Sequence, residues 1–315
     1  MSKFGATSTT DEVLEGHDLT GQTAFITGGA SGLGQETARA MAAKGAHVIL
    51  AARDQSKLDA AADQIREATG SDKVETLKVD LASLESVRAA GAEANQRFDK
   101  IDLLINNAGV MACPKMETAD GFEMQFGTNH LGHFSLTNQL LPLIKKGSGK
   151  RIVNLSSRAH HIDGIHMDDL NYASRDYEPW QSYGQSKTAN VLFSVALDKR
   201  LNDIDVFAVH PGGIQTNLGR HLTEEQTAAL VKRVQESSGG NFAFKSVEQG
   251  AATSCWAATA PDIAGQGGVY AEDCHIAEID NESSAGGVRS YALDPELAEQ
   301  LWSVSEELIG EKFAV

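Results

Sequence analysis

T23-A-F-I-T-G-G-A-S-G-L-G34 reads as a short apolar strand, Thr23 to Thr27, running into a glycine-rich turn that opens a helix. Gly28, Gly32 and Gly34 let the backbone approach a ligand closely. The first turn of the helix adds unpaired N–H groups and the positive end of its dipole, which together suit a diphosphate. In this strand-turn-helix setting the turn reads as a dinucleotide site. Outward from it the rhythm repeats about every thirty residues. Strand-like runs at His47 to Ala51, Val74 to Val79, Ile101 to Asn106, Arg151 to Ser156 and Ile204 to Val209 alternate with helical stretches. Those helices cover Gly32 to Lys44, Gln55 to Thr69, Ser83 to Phe98, Gly121 to Leu141 and Ser182 to Leu201, and Gly45 and Gly70 are natural C-terminal stops.

Strands and helices in strict alternation are the signature of parallel βαβ units, and the strands lack the polar alternation of a one-sided sheet. The pattern predicts an α/β fold: a Rossmann-type doubly wound parallel sheet of about seven strands, helices on both faces, in a single domain over residues 19–315. Residues 1–18 are expected as a flexible arm. Two insertions, near 158–180 and 217–245, follow the carboxyl ends of strands, where open α/β sheets bind ligands. In the second, Thr223-x-x-Gln226 is a capping box opening a short helix with Leu230, Val231 and Val234, read as a mobile lid. Trp180, Phe242 and Phe244 are candidates to line a substrate pocket, with ordinary core as the alternative. A helix over Ser246 to Ala258, a strand around Val269 and a terminal helix opened by Asp294-Pro295 complete the chain.

Composition narrows the partners. Lys and Arg number 27 against 43 Asp and Glu, a formal charge of −16, which disfavours nucleic acid and anionic membranes. No run of apolar residues is long enough for a signal peptide or a membrane span. Cys113, Cys255 and Cys274 are scattered without C-x-x-C spacing. His160, His161 and His166 fit no helix-borne ligand pair, so no metal site is expected. A cytoplasmic setting fits these features.

The chemistry is carried by Tyr183 and Lys187 in Y183-G-Q-S-K-T-A-N190. Four residues apart on a helix, the two side chains share one face. A free phenol titrates near pH ~10. One positive charge about 4 Å away is worth roughly 1 to 4 kcal/mol, enough to lower that value by up to about three units and bring the phenol into catalytic range. Further landmarks follow in order: N106-N-A-G109, Asn129, Ser157 and H210-P-G-G-I-Q-T216.

With these landmarks the chain resembles the short-chain dehydrogenase/reductase family over residues 23 to about 270. S157-R-A-H-H-I-D-G-I-H-M-D-D-L-N-Y172 and L301-W-S-V-S-E-E-L308 are similar to its retinol-dehydrogenase-like branch. The resemblance implies an oxidoreductase that interconverts an alcohol with a ketone or aldehyde. Tyr183 would be the general acid or base and Lys187 its activator and a nicotinamide-ribose ligand. Ser157 would polarise the carbonyl, the second serine of the pair being preferred over Ser156. Asn129 would hold, through its main-chain carbonyl, a water that links Lys187 to solvent. Cofactor contacts fall on Gly28, Ser31, Gly32, Leu33, Gly34, Asp80, Leu81, Asn107, Ala108, Gly109, Tyr183, Lys187, Pro211, Gly213 and Thr216. Where NAD-using relatives carry an acidic residue after the second strand, this chain has Ala52 and then Arg53, with Asp54 read as a helix cap. A guanidinium suits a 2′-phosphate, so NADP(H) is favoured over NAD(H). The second basic residue of many NADP enzymes is missing, Ser31 standing in its place. The family also implies a homodimer or homotetramer paired through the helices carrying Asn129 and Tyr183. A catalytically silent dinucleotide sensor remains the alternative. An extended-family epimerase would need glycine where Ser31 stands, and no G-x-S-x-G elbow marks a serine hydrolase.

Overall fold

A computed structural model describes residues 3–237, 244–313 and 315. One sheet runs through it: β1 (Thr23–Thr27), β2 (His47–Ala52), β3 (Val74–Lys78), β4 (Leu103–Asn106), β5 (Arg151–Leu155), β6 (Asp205–His210), β7 (Val269–Glu272) and β8 (His275–Ile276). The order is β3-β2-β1-β4-β5-β6-β7-β8. The first seven strands are parallel, and β8 returns antiparallel along β7. The expectation of about seven strands therefore misses the last one. Asp273 and Cys274 both adopt positive φ, at 48° and 58°. That is the twist a two-residue hairpin needs, made here without glycine. Strand order reverses between β1 and β4, which places a crevice above the carboxyl ends of those two strands.

Alternate strand residues feed two cores. Ile26, Leu50 and Ile105 point to the face covered by α2 (Gly32–Ala42), α3 (Gln55–Thr69) and α9 (Val247–Thr259). Phe25, Ile49 and Leu104 point to the face covered by α4 (Leu84–Arg97), α6 (Gly132–Ile144), α7 (Pro179–Arg200) and α10 (Pro295–Ile309). Two caps form as read from the sequence, Gly70 ending α3 in the left-handed region and Asp294 accepting from the N–H groups of Glu296 and Leu297; Ser246 adds a capping box on α9, and α2 ends at Ala42, before the expected stop at Gly45. Thr223 and Gln226 exchange the two capping-box bonds that open α8 (Glu224–Ser237). Phe242 and the rest of residues 238–243 lie outside the described residues. Val234 belongs to α8, but its side chain is also outside them.

Three expectations are corrected. The arm at 1–18 folds back: α1 (Thr10–Val13) carries a Thr9–Glu12 capping box, and Val13 and Leu14 are buried against the α2 and α9 side of the core. Arg39 pins it by pairing with Asp11 at 2.7 Å, while Thr10 hydrogen-bonds Glu36. The helix expected over Gly121 to Leu141 is broken into α5 (Met124–Phe126), a π-helical turn at Gly127–Leu131 and α6. Such a turn absorbs one extra residue and occurs often at functional sites. Asn129 sits inside it.

The third concerns the helices expected to pair between copies, whose outer faces are covered by the chain's own C-terminus. Trp302 and Phe313 stack against Phe134 of α6, with ring centroids 5.0 and 4.6 Å away. Arg200 lies 4.0 Å over Trp302. Ser305 bonds His130 at 2.8 Å, and Glu311 pairs with Arg88 at 2.6 Å. Copies pairing on this side would meet α10 and the C-terminal residues as well. Trp302→Ala is expected to cost about 3–5 kcal/mol, the usual penalty for emptying a buried aromatic site. A urea melt showing a loss below about 1 kcal/mol would mean that α10 is dispensable to the core.

Candidate active site

The crevice is roofed by α7, which begins with Glu178 capping the Gln181 N–H and Pro179 in the first turn. Tyr183 and Lys187 share its inward face, and both are 4% exposed. The Ser157 hydroxyl acts on the phenol to lower its pKa, yet burial outweighs it and pushes the value up to about 12. Burial also pushes Lys187 down to about 7. The Lys187 ammonium donates to the Leu155 carbonyl at 2.9 Å and stands 5.6 Å from the centre of the Tyr183 ring. The expected depression of the phenol by its neighbour is therefore absent in the protein alone. Both groups lose water, and that cost exceeds their mutual effect.

The two serines after β5 separate cleanly. Ser156 donates to the Lys187 main-chain carbonyl at 2.8 Å and is committed to holding α7 against β5. Ser157 accepts from the Ala159 N–H at 3.1 Å, opening a 3-10 turn at Arg158–His161, and is the one that meets the phenol. Asn129, fully buried, holds the Val110 main chain both ways, accepting from its N–H at 2.8 Å and donating to its carbonyl at 2.9 Å. It also donates to Ser186, which in turn donates to the Tyr183 carbonyl at 2.8 Å. A Cβ on Gly109 would lie 3.1 Å from the Asn129 side-chain oxygen and 3.8 Å from the Lys187 nitrogen. The four residues expected to carry chemistry thus sit together at the ends of β4 and β5.

The glycine turn lies across the crevice. Gly28 and Gly32 have φ of +67° and +56°. A Cβ on Gly34 would collide with the Gly28 carbonyl, and one on Gly28 would come 2.7 Å from the Asn107 amide. Asn107 donates to the Thr27 carbonyl at 2.8 Å, and Ala108 follows it in the same turn. Ser31 occupies the cap position of α2 without bonding its amides, so that helix end keeps its donors. Asp80 accepts from the Ala82 N–H within its own turn, while Ser83 caps α4 and Leu81 packs against Gly132 of α6. Beyond β6, Pro211 leads to Gly213, whose carbonyl accepts from Lys245, and Thr216 lies 3.6 Å from where a Cβ of Gly32 would be. Leu33 reaches the same region, abutting Gly250 with Ile214. Arg53 is exposed just past β2, and Asp54 caps α3 through the Lys57 N–H. Burial, and then the charge of Arg53, hold Arg220 below its ordinary value, so two guanidiniums share this corner.

Other candidates are structural or peripheral. His160 donates to the Ser157 carbonyl and accepts from Arg289, His161 bonds the Gly287 carbonyl, and His166 bonds Asp163. Trp180 stands edge-on to Tyr183 at 6.2 Å, whereas Phe244 is 39% exposed. Sequence reading missed Ser186 and His133, the latter joined to the Asn129 carbonyl. Their signal was spacing alone: Ser186 three residues after Tyr183, His133 four after Asn129.

The chain is similar to known proteins over most of its length. The profile of the short chain dehydrogenase family matches residues 22–227. Human "Retinol dehydrogenase 14" is 40% identical over 92% of this chain and 87% of its own length. A "Probable oxidoreductase" of Streptomyces antibioticus is 40% identical over 93% and 99%. A crystal structure of a protein from Mycobacterium paratuberculosis superposes with a TM-score of 0.74 at 35% identity, covering 98% of this chain and all of the other.

Proposed function

The chain belongs to the short-chain dehydrogenase family, in its retinol-dehydrogenase-like branch, and acts as an oxidoreductase on alcohol and carbonyl groups; from that premise we propose an NADP(H)-dependent enzyme for small hydrophobic substrates. The observation that carries the reading is a buried Tyr183 with Lys187 5.6 Å from its ring and Asn129 tied through Ser186 to its main chain, on the side of the crevice where Ser157 follows β5.

The chain has features that fit a dinucleotide: glycines at positive φ or with no room for a Cβ, unspent donors at the start of α2, and Arg53 with Arg220 beyond β2. Gly28, Gly32, Gly34 and Thr216 would border its diphosphate, Asp80 and Asn107 its adenosine, and Lys187 its nicotinamide ribose. When bound, the dinucleotide supplies or accepts the hydride. Tyr183 donates its proton to the carbonyl oxygen during reduction and receives one during oxidation. Ser157 steadies the same oxygen, an effect that depends on its being held beforehand by the Ala159 N–H. Lys187, pushed down to about 7, exchanges a proton within the neutral range and can replenish the phenol. Trp180 gives the substrate side an apolar wall.

A panel of aldehydes, ketones and alcohols tested with both nicotinamide cofactors reads class and preference together. Oxidoreduction of apolar carbonyls with NADPH supports the proposal; a protein that binds NADPH but turns over nothing in the panel overturns it in favour of a sensor. Arg53→Ala is expected to raise the NADPH KM about 10- to 100-fold, the worth of one or two charge-assisted hydrogen bonds, and to leave NADH within about twofold. Equal losses for both cofactors would remove Arg53 from the 2′-phosphate.

A further inference from the structure

His133 lies one turn beyond Asn129 on α6 and is 2% exposed. Its Nδ1 is 3.0 Å from the Asn129 main-chain carbonyl oxygen, and its Nε2 is 2.8 Å from the Thr27 hydroxyl. A carbonyl only accepts, so Nδ1 carries the proton. In the neutral ring Nε2 is then an acceptor, and the Thr27 hydroxyl donates to it. The two lone pairs of that hydroxyl receive the main-chain N–H groups of Asn107 at 2.9 Å and Ala108 at 3.0 Å. One donor and two acceptors are all that a hydroxyl has; the Ile105 carbonyl, a rival for its proton, is farther at 3.4 Å.

Every direction in this line is therefore fixed. It runs from the Asn107-Ala108 turn through Thr27, at the mouth of the glycine turn, to His133 and the π-helical turn. There the Asn129 side-chain oxygen and the Lys187 nitrogen both lie close to Gly109. Burial holds the ring neutral, down to about 4, against the pull of the Asn129 bond, and the charge of Lys187 acts in the same direction as burial. A residue needed only to fill space would not require two nitrogens of opposite role on two different elements.

We propose that His133 is a positioning residue for proton transfer: by bridging Asn129 and Thr27 it holds the π-helical turn beside Lys187 in register with the turn that would carry the dinucleotide. The proposal rests on Tyr183 and Lys187 being the reacting pair.

Three substitutions separate its two arms. His133→Asn places an amide N–H near the Nδ1 position, so it can still donate to the Asn129 carbonyl. His133→Gln places an amide oxygen near the Nε2 position and keeps only the bond to Thr27. His133→Phe keeps volume and loses both. The expected result is a fall in kcat of about 10-fold or more for His133→Phe and for His133→Gln, and a clear fall in His133→Asn as well, since each single-arm variant breaks the bridge; a wild-type kcat in either one would show that the other arm is dispensable and overturn the proposal. The alkaline limb of the kcat profile should also shift in the first two, with NADPH affinity within about twofold. Equal kcat and an unchanged profile across all three, or losses that follow only their melting temperatures, would overturn the proposal. 15N imidazole NMR, assigned by the loss of one resonance set in His133→Gln, gives a readout without turnover. A neutral Nδ1–H ring at pH 6 is expected, and an Nε2–H ring would refute the bridge. If the wild type turns over no carbonyl, the functional reading fails, and the NMR result still decides the bridge.

Discussion

Tyr183→Phe is expected to lower carbonyl reduction by about a thousandfold, within the usual range for a positioned general acid, and to leave NADPH affinity within about twofold. The ring keeps its place beside Trp180 and under α7; only the hydroxyl that meets Ser157 is removed. A variant keeping more than a few per cent of the wild-type rate would contradict the assignment. The same hydroxyl sets the pH dependence. Because burial raises it to about 12, the phenol stays protonated through the neutral range. Reduction, which needs the proton, should be flat from acid to neutral pH and fall only in alkali. Oxidation needs the phenolate and should climb with pH over the same range. Initial rates in both directions from pH 6 to 10 test this. A reduction rate already falling below pH 8 would show that the cofactor complex lowers the phenol far more than Lys187 does in the protein alone.

The sheet was legible because its strands are continuous apolar runs closed by glycines and caps whose chemistry is local: Gly70, Asp54 and Asp294 all act where their neighbours place them. What escaped was set at a distance or by unusual backbone. The β7–β8 hairpin turns on Asp273 and Cys274, residue types that seldom adopt positive φ together. The N-terminal arm's apolar anchors are few, Val13 and Leu14 with Phe4 partly buried, and their burial depends on a surface made by α2 and α9. The extra residue at Gly127–Leu131 leaves no mark on an apolar helix, yet it turns Asn129 toward Val110 and Ser186. In the site, spacing located Tyr183 and Lys187 but not their titration. A four-residue interval says that two groups are near; how much water each loses is decided by β5, by Leu155 and by the roof of α7. The choice between Ser156 and Ser157 is of the same kind, settled by which hydroxyl the Lys187 carbonyl takes.

Acid should destabilise this protein steeply from just below neutrality, because four of its ten histidines are held neutral inside it. Burial pushes His130 and His160 down to about 3 and His133 to about 4, and His210 falls well below its usual value. Geometry explains why none can take a proton cheaply. Nε2 of His133 faces the Thr27 hydroxyl, Nε2 of His160 the Arg289 N–H, and Nδ1 of His210 the N–H groups of Arg158 and Gly212. A second ring proton on the last two would point at existing donors. His130 is walled by Phe126, Phe134 and Phe193. Their pKa values are depressed on folding, so the unfolded chain binds protons that the folded one refuses. The contribution is present above the unfolded value of about 6.5 and lost as pH falls toward the folded values. Each group contributes about 1.4 kcal/mol per pH unit once its unfolded form is protonated. Glu123, Asp198 and Glu272, raised by burial, act in the opposite direction. A net slope of about 3 kcal/mol per pH unit below pH 6.5 is expected, which would exhaust a typical stability of about 5–15 kcal/mol within a few units. Urea melts at half-unit steps from pH 7 to 5.5 measure the slope directly. A value under about 1.4 kcal/mol per unit, one proton or fewer, would mean that these rings open to water or exchange their partners before the fold gives way.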